Sequence, residues 1–278
     1  MMTYQPNSKI LILAICSFTK TTGGVADYHE QDTIISRLSQ KAKNTLLQNR
    51  ADVWYLIKLS DRIDWQGVPA SELAFNQNLV QGIDLGGHDK PARYLPALQR
   101  YDGRFFQTLG GGDDRLQLLR SRHHILFISG LYGLVIPAEP IQLYSCPLSP
   151  QVAGVWTRDH VLTDVLIDYV AKHGISRIFD LTAVDAYRKL IDWSAVSSQT
   201  ETDVLHCFYT MGSGDYALIP FGQLTRDYLS KAPESELLSM KPETDMNGVV
   251  FRSVQVTQPG LPDELRIIRQ AELEIPLL

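Results

Sequence analysis

Cysteine is scarce. The 278-residue chain has three, Cys16, Cys146 and Cys207, far apart and never in a CxxC pair. An odd, dispersed count supports neither a zinc framework nor a disulfide scaffold. It points to a reducing cytoplasm. The seven histidines show no HExxH spacing. The adjacent His123 and His124 project to opposite faces of a strand, which disfavours a shared metal. No metal and no other cofactor is expected. A GxxxxGK[ST] loop and a GxSxG elbow are both missing, so neither a P-loop NTPase nor an elbow-type serine hydrolase has support. No apolar run reaches membrane-spanning length, and the one at residues 10–15 is too short for a signal h-region with its flanks. The expectation is a soluble cytoplasmic protein with no membrane partner. Positive charge is not in excess either. A net charge of -5 argues against a general nucleic-acid coat, while leaving a local basic groove open. There is no internal repeat and no low-complexity tract.

What is present is a 44% hydrophobic chain, long enough for one large α/β domain or two small ones. Residues 9–16, KILILAIC, read as a buried parallel strand. Residues 31–48 carry apolar positions at helical spacing. Residues 53–59 read as a second strand, 124–129 as a third and 175–181 as a fourth. Helices are expected within 115–122, 157–173 and 185–193, with a short helix and loop in 92–109. Residues 204–209 and 216–220 read as a late strand pair. This alternation predicts a single, largely parallel α/β sheet flanked by helices. The predicted organisation is a core over 1–230 and a C-terminal extension, richer in Glu and Pro, over 231–278. Ligands of such sheets sit at the carboxyl ends of the strands. Polar clusters fall there at 17–20, 129–133 and 180–185.

Three stretches have chemical potential. Ser129-Gly130-Leu131-Tyr132-Gly133 leaves the third strand between two glycines, which allow close backbone approach. Tyr132 offers a face on which a base could stack; the plain alternative is a tight turn with Tyr132 packed as core. Ser17 to Gly24 combines hydroxyls, glycines and Lys20, as a phosphate cradle would, or as an ordinary polar loop does. Residues 88–124 interleave aromatics with seven Lys/Arg against four Asp, a local excess of positive charge. Arginines there supply phosphate affinity and aromatics supply base contacts. Within this stretch Asp102 could activate a water or stabilise a cationic sugar. Asp180 follows the fourth strand and could act as acid, base or helix cap.

Taken together, the stretches resemble the peroxide stress protein YaaA family. SGLYGL at 129–134, followed by PIQLY at 140–144, is similar to its signature. Ser17-Phe18-Thr19-Lys20 with Asp27-Tyr28 is similar to its Ser-Pro-Ala-Lys loop. Residues 98–105 resemble its A-F-x-G-D-x-Y segment, and Trp156, Asp180-Leu181-Thr182-Ala183 and Asp185-Ala186-Tyr187 match its later positions. The resemblance spans about 9–230. One departure stands out: a Lys-Lys-Ala-Arg-Gly stretch of the family appears here as Thr210-Met211-Gly212-Ser213-Gly214.

The resemblance implies a DNA-associated protein with one α/β core. Through a more distant similarity to uracil-DNA-glycosylase-like and antiviral glycosylase proteins, it implies chemistry on a flipped base. The leading expectation is therefore a DNA glycosylase that releases a modified base by hydrolysing its N-glycosidic bond, with antiviral defence as its setting. Asp102 or Asp180 would be the catalytic carboxylate. Tyr132 and Tyr144 would wall the base pocket. Ser17, Lys20, Tyr101, Ser129, Gly130 and Gly133 would complete the substrate site. Arg93, Arg100, Arg104, Arg120 and Arg122 would hold the DNA backbone. Two alternatives stay open: a non-catalytic DNA-binding oxidative-stress protein, and a nucleoside or nucleotide N-glycosidase. Arginines gathered in one groove would favour DNA; scattered arginines would favour the small substrate.

Overall fold

A computed structural model describes residues 4–59, 64–65, 67–88 and 90–254. Its centre is a seven-stranded sheet. In chain order the strands are β1 (Ile10–Ile15), β2 (His124–Ser129), β3 (Gly133–Val135), β4 (Arg177–Asp180), β5 (Asp203–Tyr209), β6 (Asp245–Met246) and β7 (Val249–Ser253). They lie in the order β6-β7-β5-β4-β1-β2-β3. The four inner strands β5, β4, β1 and β2 run parallel, and both edges are antiparallel. Every residue of β1 and β2 is buried. That is why both read as near-continuous apolar runs: a parallel strand covered on two faces has no polar side to show.

The helices that frame the sheet and the site include α1 (Gln40–Leu59), α2 (Arg104–Thr108), α3 (Pro150–Thr157), α4 (Val161–His173), α5 (Trp193–Thr200) and α6 (Leu218–Leu224). Ser39 caps α1, its Oγ accepting from the Ala42 amide at 3.3 Å. Helix α1 packs against α3 and α4, α4 packs against α5, and α2 packs against α6. The last contact is very close. A Cβ on Gly222 would lie 2.5 Å from the Phe105 carbonyl oxygen, so glycine is required there.

The structure corrects several expected elements. Residues 53–59 are not a strand but the end of α1. Their β-branched and aromatic composition suggests a strand, yet the buried positions Ala42, Leu46, Arg50, Val53 and Ile57 continue one helical stripe through them. The helix expected over 31–48 begins only at Gln40, after two 3₁₀ turns. Residues 216–220 form the end of a 3₁₀ turn and the start of α6. The true partner of β5 is β7, antiparallel and supplied from within 231–278. Phe251 of β7 is fully buried against Phe179 of β4, with ring centroids 5.7 Å apart. Residues 255–278 lie outside the described part.

The parallel strands follow the order 2-1-4-5 in this numbering. From β1 the sheet first grows to one side, to β2, and then to the other, to β4. The carboxyl ends of β1 and β4 thus flank a topological switch point, where an α/β sheet leaves a crevice. Among the described residues, no helix is long and apolar enough to cross a membrane.

Candidate functional site

The turn after β2 is a core junction. Gly133 has φ +69°, and a Cβ there would stand 2.7 Å from the Trp156 ring. Trp156 Nε1 donates to the Gly130 carbonyl at 2.7 Å. Tyr132 is fully buried. Its hydroxyl donates to Asp84 Oδ2 at 2.6 Å and accepts from the Gln142 amide at 3.0 Å. Burial pushes the Asp84 carboxyl above its ordinary value, against hydrogen bonds from Tyr132, Gln142 and Tyr94 and the Arg50 charge. Arg50 is itself fully buried, donating to the Tyr132 and Leu134 carbonyls and pairing with Glu139 at 2.8 Å. The glycines therefore let a strand end pass under a tryptophan, and the tyrosine ties it to a buried polar network. Asp84, Arg50 and Glu139 were absent from the sequence-based site. Arg50 alone left a trace, as a charge on the apolar stripe of α1.

A second network joins residues singled out separately in the sequence. Tyr144 Oη is hydrogen-bonded to Ser129 Oγ at 2.7 Å and to Tyr101 Oη at 2.9 Å. Lys20 Nζ lies 4.1 Å from the Tyr144 ring centroid and 5.7 Å from that of Tyr101. It donates to the Ser17 carbonyl at 2.7 Å. Lys20 and Tyr101 also form a backbone bridge. Burial lowers the Lys20 ammonium to about 8; Cys16 and Cys146 oppose that shift and Arg100 adds to it. Tyr132 and Tyr144 meet edge-on, with centroids 5.4 Å apart. Both are buried, so neither forms an open wall for a base.

The open concavity lies beside this network, at the switch point. A pocket of about 270 Å³ is lined by Cys16, Ser17 and Phe18 from the end of β1 and by Val184 and Tyr187 from beyond β4. Arg104, Phe105 and Phe106 of α2 and Asp215 and Leu218 near α6 complete it. The Tyr187 hydroxyl is 3.6 Å from Cys16 Sγ. Gly103 keeps the pocket open, since a Cβ there would come within 2.3 Å of Ser17 Oγ.

The carboxylates predicted to be catalytic do not line this pocket. Asp180 is fully buried. Its oxygens accept from the Thr182 amide, from Arg188 Nε at 2.9 Å and from His206 Nδ1 at 2.5 Å. Burial raises its carboxyl, but the His206 hydrogen bond and the Arg188 charge outweigh that and hold it below its ordinary value. The carboxylate is enclosed, with its oxygens taken up by these partners. Asp102 borders the pocket-lining Gly103, and its carboxylate is turned to Arg115 at 3.3 Å.

The five arginines do not share one groove. Arg100 is fully buried and donates to the carbonyls of Thr21 and Gly23. Arg93 is exposed, with Nε on the Gly24 carbonyl. Arg104 lines the switch-point pocket. Arg120 and Arg122 lie near the amino end of β2, in a groove of about 910 Å³ shared with Arg226 and Lys231 but also with Asp114, Asp227 and Glu234. The mixed signs leave that groove only weakly basic. A charged residue in a basic stretch reads as surface, and sequence gives no sign that carbonyls will enclose Arg100.

No family model matches the chain. It is 25% identical over 223 residues to a UPF0246 protein of Tolumonas auensis, covering 77% of each chain. Nothing in the comparisons supports the glycosylase part of the expected resemblance. UPF0246 is the YaaA family, so the similarity falls on the same family whose motif order the sequence follows.

Proposed function

We propose that this is a DNA-binding protein of the YaaA kind, engaging nucleic acid at the carboxyl edge of the sheet without releasing a base. One observation carries the reading. Ser17, Lys20, Tyr101, Ser129 and Tyr144, distant in sequence and all within the YaaA-like motifs, converge into one bonded cluster beside the switch-point pocket. The similarity to a UPF0246 protein over 77% of the chain supports the same family. Binding is favoured over glycosidic hydrolysis because Asp180 is enclosed and Asp102 is paired with Arg115. The test is fluorescence anisotropy with duplex and single-stranded DNA over a range of salt, together with an assay for alkali-labile abasic sites. The reading predicts affinity that falls steeply as salt rises and no abasic sites. Abasic sites on any DNA would restore the glycosylase.

The scatter of the arginines favours a second reading, a nucleoside or nucleotide as ligand of the same pocket. It predicts weak salt dependence and no affinity for duplex.

A further inference from the structure

The mouth of the switch-point pocket carries exposed aromatic surface. Phe18 lines the pocket and is 53% exposed. Tyr216, 73% exposed, is outside the lining but adjoins the pocket-lining Asp215 on the same 3₁₀ turn. Large apolar side chains exposed singly are ordinary. These belong to two separate segments, 17–19 and 214–218, that border one concavity. Behind them Phe105 and Phe106 give an apolar floor, while Ser17, Tyr187 and Asp215 give polar atoms. Arg104 is exposed at the same site. An aromatic mouth, one cation and one carboxylate are complementary to a flat, amphipathic, amine-bearing ring attached to an anionic backbone.

We propose that this pocket receives a single unstacked nucleobase, stacked on Phe18, with Arg104 on the sugar-phosphate and Asp215 accepting from an exocyclic amino group. The volume lies at the small end of ligand sites and suits one base. The Asp215 acceptor favours adenine, cytosine or guanine over thymine, which has no exocyclic amine. The base comes either from a DNA strand or from a free nucleoside. The strand source rests on the DNA-binding reading; the base site itself does not.

The experiment measures a short oligodeoxyadenylate by anisotropy and free deoxyadenosine by calorimetry, on wild type and on Phe18→Ala, Tyr216→Ala and Gly103→Ala. An 8-azidoadenine strand is also photocrosslinked and mapped by mass spectrometry. Loss of a stacking aromatic lowers affinity about ten-fold. Phe18→Ala shows that loss, Tyr216→Ala, outside the lining, keeps wild-type affinity, Gly103→Ala binds weakly because its methyl displaces the Ser17 hydroxyl of the pocket wall, and crosslinks fall within 16–19 or 214–218. Both alanine variants remove exposed side chains and leave the fold intact, as circular dichroism checks. If only deoxyadenosine binds, and Phe18→Ala weakens it, the base site stands and the DNA reading fails. If the strand binds wild type and both alanine variants equally, with crosslinks elsewhere, the base site is overturned and DNA binding stands. If neither probe binds, both fail.

Discussion

Lys20 places its ammonium 4.1 Å from the centre of the Tyr144 ring and 2.7 Å from the Ser17 carbonyl oxygen. The contact joins the loop after β1 to the segment after β3. It holds the wall of the switch-point pocket with a charge that has lost most of its water.

A pH dependence follows. The folded Lys20 titrates at about 8, below its value in the unfolded chain, about 10.4. Between those values the unfolded state binds more protons, so Lys20 contributes rising stability as pH increases from about 8 to about 10.4. Below 8 its burial penalty is fully present. The span corresponds to about 3 kcal/mol. Urea midpoints of wild type minus Lys20→Met, taken at intervals from pH 7 to 10, cancel the shared tyrosine titrations. The difference rises with pH; a flat difference would show an ammonium that keeps its water.

Gly133→Ala strains both backbone and packing. The residue has φ +69°, and its new methyl would stand 2.7 Å from Trp156. Left-handed strain and overpacking together destabilise by about 3 kcal/mol. Chemical denaturation reads this directly. Gly23, also at positive φ but with nothing within 4 Å, loses less on the same substitution.

Asp180 holds Arg188 and His206 from a fully buried position. Removing it leaves the largely shielded Arg188 guanidinium without its counter-charge and the His206 ring without its partner, and Asp180→Ala costs about 3–5 kcal/mol. Its carboxyl is held low in the fold, so it contributes stability above the unfolded carboxylate value, and that contribution is lost as pH falls through the folded one. The wild-type advantage over Asp180→Ala therefore narrows in acid. Asp102→Ala, by contrast, removes one partly exposed pair with Arg115 and changes stability by about 0–1 kcal/mol.

The inner sheet was legible because β1 and β2 are buried on both faces and so carry uninterrupted apolar runs. Val53 to Leu59 misled because a short β-branched, aromatic run has the same composition in a strand as in the last turns of a helix. Only its phase with Leu46 and Arg50 distinguishes the two. Strand β7 was hidden in a tail whose Glu and Pro content suggested an appendage. At the site, Ser17, Lys20, Tyr101, Ser129 and Tyr144 were each visible as polar or aromatic residues near strand ends. Their mutual bonds come from tertiary packing, which no local pattern encodes. For Tyr132 the alternative of a tight turn with the ring packed as core is the one the structure shows, though nothing near it in sequence announces Asp84. The open pocket lies one strand away from the signature turn, where β1 faces β4, and only the strand order reveals that crevice.

On the DNA-binding proposal, nucleic acid meets the carboxyl edge of the sheet and not the larger groove at its amino end. The direct measurement compares Arg104→Ala with the double variant Arg120→Ala, Arg122→Ala in binding a fluorescein-labelled single strand, titrated at several salt concentrations. Arg104→Ala is expected to weaken binding several-fold and to lower the salt slope by about 0.7, the loss of one phosphate contact on a single strand. The double variant keeps wild-type affinity and slope. Weak binding by the double variant, with Arg104→Ala unchanged, would move the interface to the amino-end groove and overturn the proposal.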